Sequence, residues 1–234
     1  MLYYDLHIHS CLSPCAEDEM TPNNICNMAL IKGLDLIALT DHNSVRQIPA
    51  FAEAAEKCGI RALYGCELQT SEEVHVLGLF ARAEDALSLQ PWIDERMPGI
   101  PNRPDFFGNQ LICDAEDRVT GTEERLLLVS LTADLDETIA AIHACGGAAV
   151  LAHVLDRENS VTNQLGFIPP ALPYDGLEIK STEEKQRILS SHPWIKEDGT
   201  VWLTDSDAHR LIAISEAEQA LSEEMLSRLW GGRQ

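Results

Sequence analysis

Seven short runs rich in β-branched and aliphatic residues, LYYDLHIH, LDLIALTDH, IRALYGCEL, EVHVLGLF, GAAVLAHV, DGLEIKS and VWLTDSDAH, each carry a histidine or a carboxylate near one end. The residues so placed are His7 and His9, Asp41 and His42, Glu67, His75, His153, Glu178, and Asp207 and His209. They account for six of the eight histidines; His143 falls inside a helical stretch and His192 in a Ser-Ser-His-Pro turn. In a parallel barrel the carboxyl ends of all strands converge on one face, so residues distant in sequence become neighbours in one pocket. Period-2 strands would point His7 and His9 to one face, and Asp207 and His209 likewise. Histidine and carboxylate are the residues that hold zinc, manganese or iron. Ligand pairs in the first and last runs therefore predict a closed sheet with a metal site at its seam.

The segments between most runs follow the start-and-stop grammar of helices. TPNNICNMALIKG offers Thr21 as N-cap, Pro22 at the first helical position and Gly33 beyond the end. SVRQIPAFAEAAEKCG offers Ser44 and Gly59, and LDETIAAIHACGG offers Asp134 or Asp136 and Gly146. Strands alternating with helices predict parallel β-structure built from short βα units. One break runs from about Ala83 to Ser130, dense in proline and carrying Trp92, Phe106 and Phe107, and such an insertion reads as a lid or cap over a site. The segment ISEAEQALSEEMLSRLW reads as a solvated outer helix. The expectation is one α/β domain spanning residues 1–234, with the insertion at about 83–130.

A formal net charge of −21 repels phosphate polymers and anionic membranes, so generic binding to long nucleic acid or to a membrane is not expected. A small anionic substrate is less affected, because divalent cations reverse the local potential at a metal site. The seven cysteines are odd in number and scattered, which reads as reduced thiols in a cytosol; Cys11 and Cys15 lie near the first histidine pair, where loop packing is the default reading and, with no CxxC motif, soft-metal ligation the alternative. With neither a signal-like opening nor an apolar run of membrane-spanning length, the expected localisation is cytoplasmic.

Two carboxylates fall beside histidines: Asp5, two residues before His7, could orient that imidazole, and Asp41 could do so beside His42. Glu67, after Gly-Cys at a strand end, suits a carboxylate bridging two metals through its two oxygens. The ordered set HxH (His7, His9), TDH (Thr40 to His42), GxE (Gly65 to Glu67), HVLG from His75, AH (Ala152, His153), GLE (Gly176 to Glu178) and SDAH (Ser206 to His209) resembles the PHP (polymerase and histidinol phosphatase) superfamily of metal-dependent phosphoesterases across the whole chain. It is most similar to the short, stand-alone members. The resemblance implies a distorted seven-stranded (β/α)7 TIM-like barrel with two or three Zn, Mn or Fe ions at the carboxyl ends of its strands. It also implies that His7, His9, Glu67 and Asp207 hold one metal, that Glu67 bridges to a second held by His75 and His153, and that His42 and His209 hold a third. The family's further ligand to that third metal comes from the loop after HxH, where this chain offers Glu17 or, next to it, Asp18.

The expected activity is hydrolysis of a phosphate ester of a small metabolite or nucleotide by a hydroxide shared between metals, with Glu67, Asp207 and His209 catalytic and His209 or Asp207 assisting the leaving group. Arg157, Lys180 and Arg210 follow strand ends or ligands and are the candidate phosphate contacts. Two alternatives stand beside this reading. One is an amidohydrolase-like C–N hydrolase, for which Lys180 would be the only strand lysine available for carboxylation; the other is a non-catalytic metal-binding regulatory module.

Overall fold

A computed structural model describes residues 1–231 of the chain. All seven strand-like runs form strands. In chain order the elements are β1 (Leu2–Ile8), α1 (Pro22–Ile31), β2 (Leu36–His42), α2 (Ile48–Cys58), β3 (Arg61–Gln69) and β4 (His75–Phe80). Next come α3 (Ala83–Ser88), α4 (Gln90–Arg96), α5 (Pro104–Phe107), β5 (Leu111–Cys113), β6 (Val119–Thr122), α6 (Leu135–Ala144) and β7 (Ala148–Leu151). The chain continues through α7 (Val161–Leu165), β8 (Gly176–Glu178), α8 (Thr182–Ser191), β9 (Val201–Leu203), β10 (Ala220–Leu221) and α9 (Glu223–Arg228). The main sheet has the order β10-β1-β2-β3-β4-β7-β8-β9 and curls strongly. A parallel bridge between Ile8 and Ala208 brings the segment after β9 back onto β1, with His9 N–H donating to the Ala208 carbonyl at 3.0 Å and Ala208 N–H to that of His7 at 3.2 Å. The result is the distorted barrel that the strand pattern implies.

Alternation of side chains along the strands builds two cores. Leu6, Leu36, Ala38, Leu63, Leu77, Leu79, Val150 and Leu203 fill the barrel interior, while Ile37, Leu39, Val76 and Leu151 pack outward against helix residues such as Ile25, Phe51 and Ile142. Above the interior layer the same inward positions carry the polar residues at the strand ends. The C-terminal segment is not the solvated helix expected of it. Its β10 pairs antiparallel with Leu2 and Tyr3, and Leu226, Leu229 and Trp230 join the interior core at the opposite end of the barrel from the histidines. Two or three well-spaced apolar residues, rather than a continuous stripe, suffice for that short plug.

Four local features depart from the strand grammar. First, β4 runs antiparallel to both neighbours, because the chain between Gln69 and His75 is a tight turn with no room for a crossover helix. Second, the β1–β2 register shifts between Asp5 and Ile8, so Leu6 lies in the interior core and Ile8 in the outer one. Asp5 therefore does not meet the imidazole of His7; it accepts instead from the backbone N–H groups of Ser206 and Ser215. Third, β9 ends at Leu203, and Asp207 and His209 stand on the loop beyond it instead of on a period-2 strand. Fourth, Ser44 does not cap α2, whose first turn begins after Gln47. By contrast α6 starts with a complete capping box between Asp134 and Glu137, and Thr21–Pro22 begins α1.

The insertion is ordered. It forms α3, α4 and α5, then the separate β5–β6 hairpin, and it is sewn to the ligand-bearing end of the barrel. Asn43, directly after His42, donates to the carbonyls of Leu127 and Val129, and the Leu111 N–H donates to the Cys11 carbonyl. None of the described helices is long and apolar enough to cross a membrane.

Gly65 fixes how closely β3 and β4 approach just below the site. A Cβ there would lie 2.2 Å from the backbone oxygen of Gly78. Gly65→Ala should therefore cost about 1–3 kcal/mol by overpacking, read as a lower midpoint in urea unfolding with an unchanged slope.

Candidate metal centre

Glu67 is the hub of the site. It sits at the end of β3, only 1 % exposed, and its two carboxylate oxygens face different sets of imidazoles. Oε1 lies 2.8 Å from His75 Nδ1, 3.1 Å from His153 Nε2 and 3.4 Å from His7 Nε2. Oε2 lies 3.1 Å from His42 Nδ1 and 3.4 Å from His9 Nε2. Asp207 Oδ1 closes the other side, 3.5 Å from His7 Nε2 and 3.3 Å from His9 Nε2. The rings of His9 and His209 stack with centroids 4.3 Å apart.

Backbone geometry is spent on this convergence. Ala152 belongs to the interior core, so strict alternation would turn His153 away; a left-handed backbone at His153 (φ 29°) returns it to the site. Asp207 (φ 55°) and Asn43 (φ 45°), next to His42, share this conformation. Each such non-glycine residue costs on the order of 1–3 kcal/mol, which the surrounding structure must supply.

Among the described residues, donor atoms fall into three groups close enough to share an ion: His7, His9 and Asp207; His42, Glu67 and His75; and His9, His42 and His209. The donor chemistry fits divalent metals. The Nε2 atoms of His7 and His9 face one another at 3.1 Å, both turned toward carboxylate oxygens, an arrangement that a cation between them satisfies. The ring nitrogens behind them are held. His7 Nδ1 donates to Glu178 Oε2 at 2.9 Å. His9 Nδ1 donates to the Ser13 hydroxyl at 3.1 Å, which in turn donates to Asp41 Oδ1 at 2.7 Å. Both tautomers so fixed leave Nε2 free as a lone pair.

The charge balance marks where a cation belongs. Although burial would hold His7 neutral, Glu178, Glu67 and Asp207 raise its pKa well above the usual imidazole value, so a proton on the ring must leave when a metal binds there. Glu67 is held far below its usual range, against burial, by His75, His7 and His42. Asp207 is likewise lowered against burial by His7 and His9. Burial and the neighbouring His9 push His42 well down, and take His209 to about 4. At neutral pH His42 and His209 thus present lone pairs.

The remaining candidates divide. Arg157 reaches the site, its Nη1 2.7 Å from Asp207 Oδ2. Glu17 has its backbone beside His209, but its half-exposed side chain pairs with Arg210, Nε to Oε1 3.1 Å, and neither residue lines the cavity. Asp18 is engaged by the Asn109 amide. Lys180 is exposed beyond β8 and away from the cavity, so the carboxylated-lysine reading has no lysine where it needs one. Asp41 supports His9 through Ser13 instead of its own neighbour His42. Ser13, Asn159, whose amide lies 2.8 Å from His75 Nε2, and Cys15, which lines the cavity, stand on irregular loops where no periodicity signals them. Cys11 points elsewhere, toward Cys113. The cavity over the site measures about 760 Å³, and Phe107 and Leu128 from the insertion are part of its lining.

Comparison with known proteins is consistent with this geometry. Residues 5–167 match the family described as PHP domain. The chain is 25% identical over 252 residues to a 5'-3' exoribonuclease of Haemophilus influenzae, covering 88% of this chain and 89% of the relative. Among solved structures, a candidate metal-dependent phosphoesterase from Bifidobacterium adolescentis superposes with a TM-score of 0.61 at 17% identity, covering 97% of this chain and 94% of that one. A lesion-specific endonuclease from Pyrococcus furiosus superposes with a TM-score of 0.63 at 17% identity, covering 99% of this chain but 56% of that one. These two share the fold.

Because Glu178 fixes the tautomer of His7, Glu178→Gln should weaken metal binding by roughly 10–100-fold while the protein stays folded. Competition against a fluorescent chelator, with circular dichroism as the control, measures this.

Proposed function

Since this chain belongs to the PHP domain family, we propose that it hydrolyses a phosphate ester of a small metabolite or of a single nucleotide, free or at the end of a short chain, in the cavity above Glu67. The observation that carries the reading is the sharing of both Glu67 oxygens among five imidazoles, with Asp207 opposite. In this reading His7, His9, Glu67 and Asp207 hold one ion, Glu67, His75 and His153 a second, and His42 and His209, beside His9, a third. Bound divalent ions of this kind lower the pKa of water toward neutrality and neutralise charge on phosphoryl oxygens.

The protein's own groups do the rest. Glu178 and the Ser13–Asp41 pair orient His7 and His9, so that the reacting oxygens meet fixed positions. Arg157 lines the cavity with its side chain 39 % exposed, and binds a phosphate oxygen once it turns from Asp207. His209, whose Nδ1 donates to the Asp207 carbonyl, would serve as a ligand; with its pKa taken to about 4 and that of Asp207 also lowered, neither carries a proton at neutral pH to give the leaving oxygen, which leaves solvent as the donor. The insertion acts as the cavity's cap. A volume of about 760 Å³ suits one nucleotide-sized ligand, and the net charge of −21 opposes non-specific binding along a polymer without opposing one phosphate at the ions.

The test is a screen of phosphate release from sugar phosphates, nucleotides, short oligonucleotides and an aryl phosphate by metal-replete protein. Activity should vanish on chelation and return with Mn²⁺, Zn²⁺ or Fe²⁺; release from no substrate would sink the reading. Glu67→Gln should reduce turnover to background and lower bound metal while circular dichroism is unchanged. Arg157→Ala should raise KM about tenfold or more, as expected for loss of a charged hydrogen bond to phosphate.

A further inference from the structure

The part of the cavity lining that comes from the insertion differs from the rest. On the barrel side the lining is polar or charged: Gln69, Arg157, Glu158 and Asn159 surround the ligand residues. The insertion contributes Phe107 and Leu128, which offer no hydrogen-bonding side chain. A polyol leaving group would find nothing there to satisfy its hydroxyls, whereas a flat ring would find an apolar face.

Phe107 is held in place with unusual closeness. The next residue, Gly108 (φ +104°), lies so near the loop after β1 that a Cβ would stand 2.0 Å from the Pro14 carbonyl oxygen. Asn102 donates to the Gly108 carbonyl at 3.0 Å, and Asn109 donates to both oxygens of Asp18. Leu111 N–H then bonds the Cys11 carbonyl at 2.8 Å. Residues 108–111 are thus stitched to the loop that carries Ser13 and Cys15, so the half-buried ring of Phe107 keeps a fixed place relative to His9. Phe106 packs edge-on against it, ring centroids 4.7 Å apart, and is itself 72 % exposed with the Arg103 guanidinium over its ring.

We infer that Phe107 is a specificity-determining residue, an aromatic platform that stacks the base of a nucleotide whose phosphate lies at the metal ligands. The inference rests on the phosphoesterase reading for the position of the phosphate. It narrows the substrate class to phosphate esters carrying a planar base.

Equilibrium binding separates the two ideas. The probes are two phosphonates in which a methylene replaces the bridging oxygen, one mimicking adenosine 5'-phosphate and the other ribose 5-phosphate, titrated calorimetrically into Mn²⁺-loaded protein. Wild type should bind the adenosine compound roughly 10–100-fold more tightly than the ribose compound, the range expected of one base–aromatic stack. In Phe107→Leu, which stays apolar but loses the flat face, the ratio of the two dissociation constants should collapse toward unity, and Phe107→Tyr should restore it. Gly108→Ala, which pushes α5 off the Pro14 carbonyl, should also shrink the ratio. A wild-type ratio near unity, no binding of either probe, or a ratio that Phe107→Leu leaves intact overturns the inference. Phosphate release from the wild type with a ratio near unity would remove the platform and leave the function standing. A ratio that depends on Phe107, in a protein that hydrolyses no phosphate ester, would do the reverse.

Discussion

A single buried carboxylate sets the terms for the ligand-bearing end of this barrel. Glu67 lies among five imidazoles and near a second acid, with both oxygens engaged and almost no solvent. Charge buried so deeply is stable only when balanced and hydrogen-bonded. The protein answers with a second layer, Glu178 behind His7 and Asp41 behind Ser13 and His9, so that the inner nitrogens are aimed before any ion arrives. Left-handed backbone at His153 and Asp207 belongs to the same arrangement: strain is accepted where it turns a ligand inward.

Much of this was readable without coordinates because two periodicities coincide. Alternation along β2, β3 and β4 sends Leu36, Leu63 and Leu77 to the interior and, by the same parity, His42, Glu67 and His75 to its upper rim. A polar residue at the last inward position of an apolar strand is therefore visible as a pattern break. Helix boundaries at Pro22 and Asp134 were visible for a similar reason, since caps are local chemistry.

What the pattern hid was every place where alternation fails. The register shift in β1 detaches Asp5 from the face of His7, and the left-handed turns at His153 and Asp207 involve residues that give no sign of that conformation. The supporting groups Ser13 and Asn159 stand in irregular chain, where position follows from long-range contacts and not from spacing. Glu17 stands on the loop expected to supply a ligand, with its backbone beside His209, and its pairing with Arg210 is a contact that spacing does not resolve. The antiparallel β4 shows a milder version: five intervening residues already forbid a crossover, and the length of that gap carried more information than the strands on either side.

The bridge between Ile8 and Ala208 has a consequence for how the chain comes into being. His7 and His9 precede Asp207 by some two hundred residues, yet all three must surround one point. A growing chain therefore places Glu67 beside the two imidazoles well before Asp207 can close the other side. An ion bound at this corner would therefore act as a clasp, tying β1 to the segment after β9 and opposing the reopening of the seam.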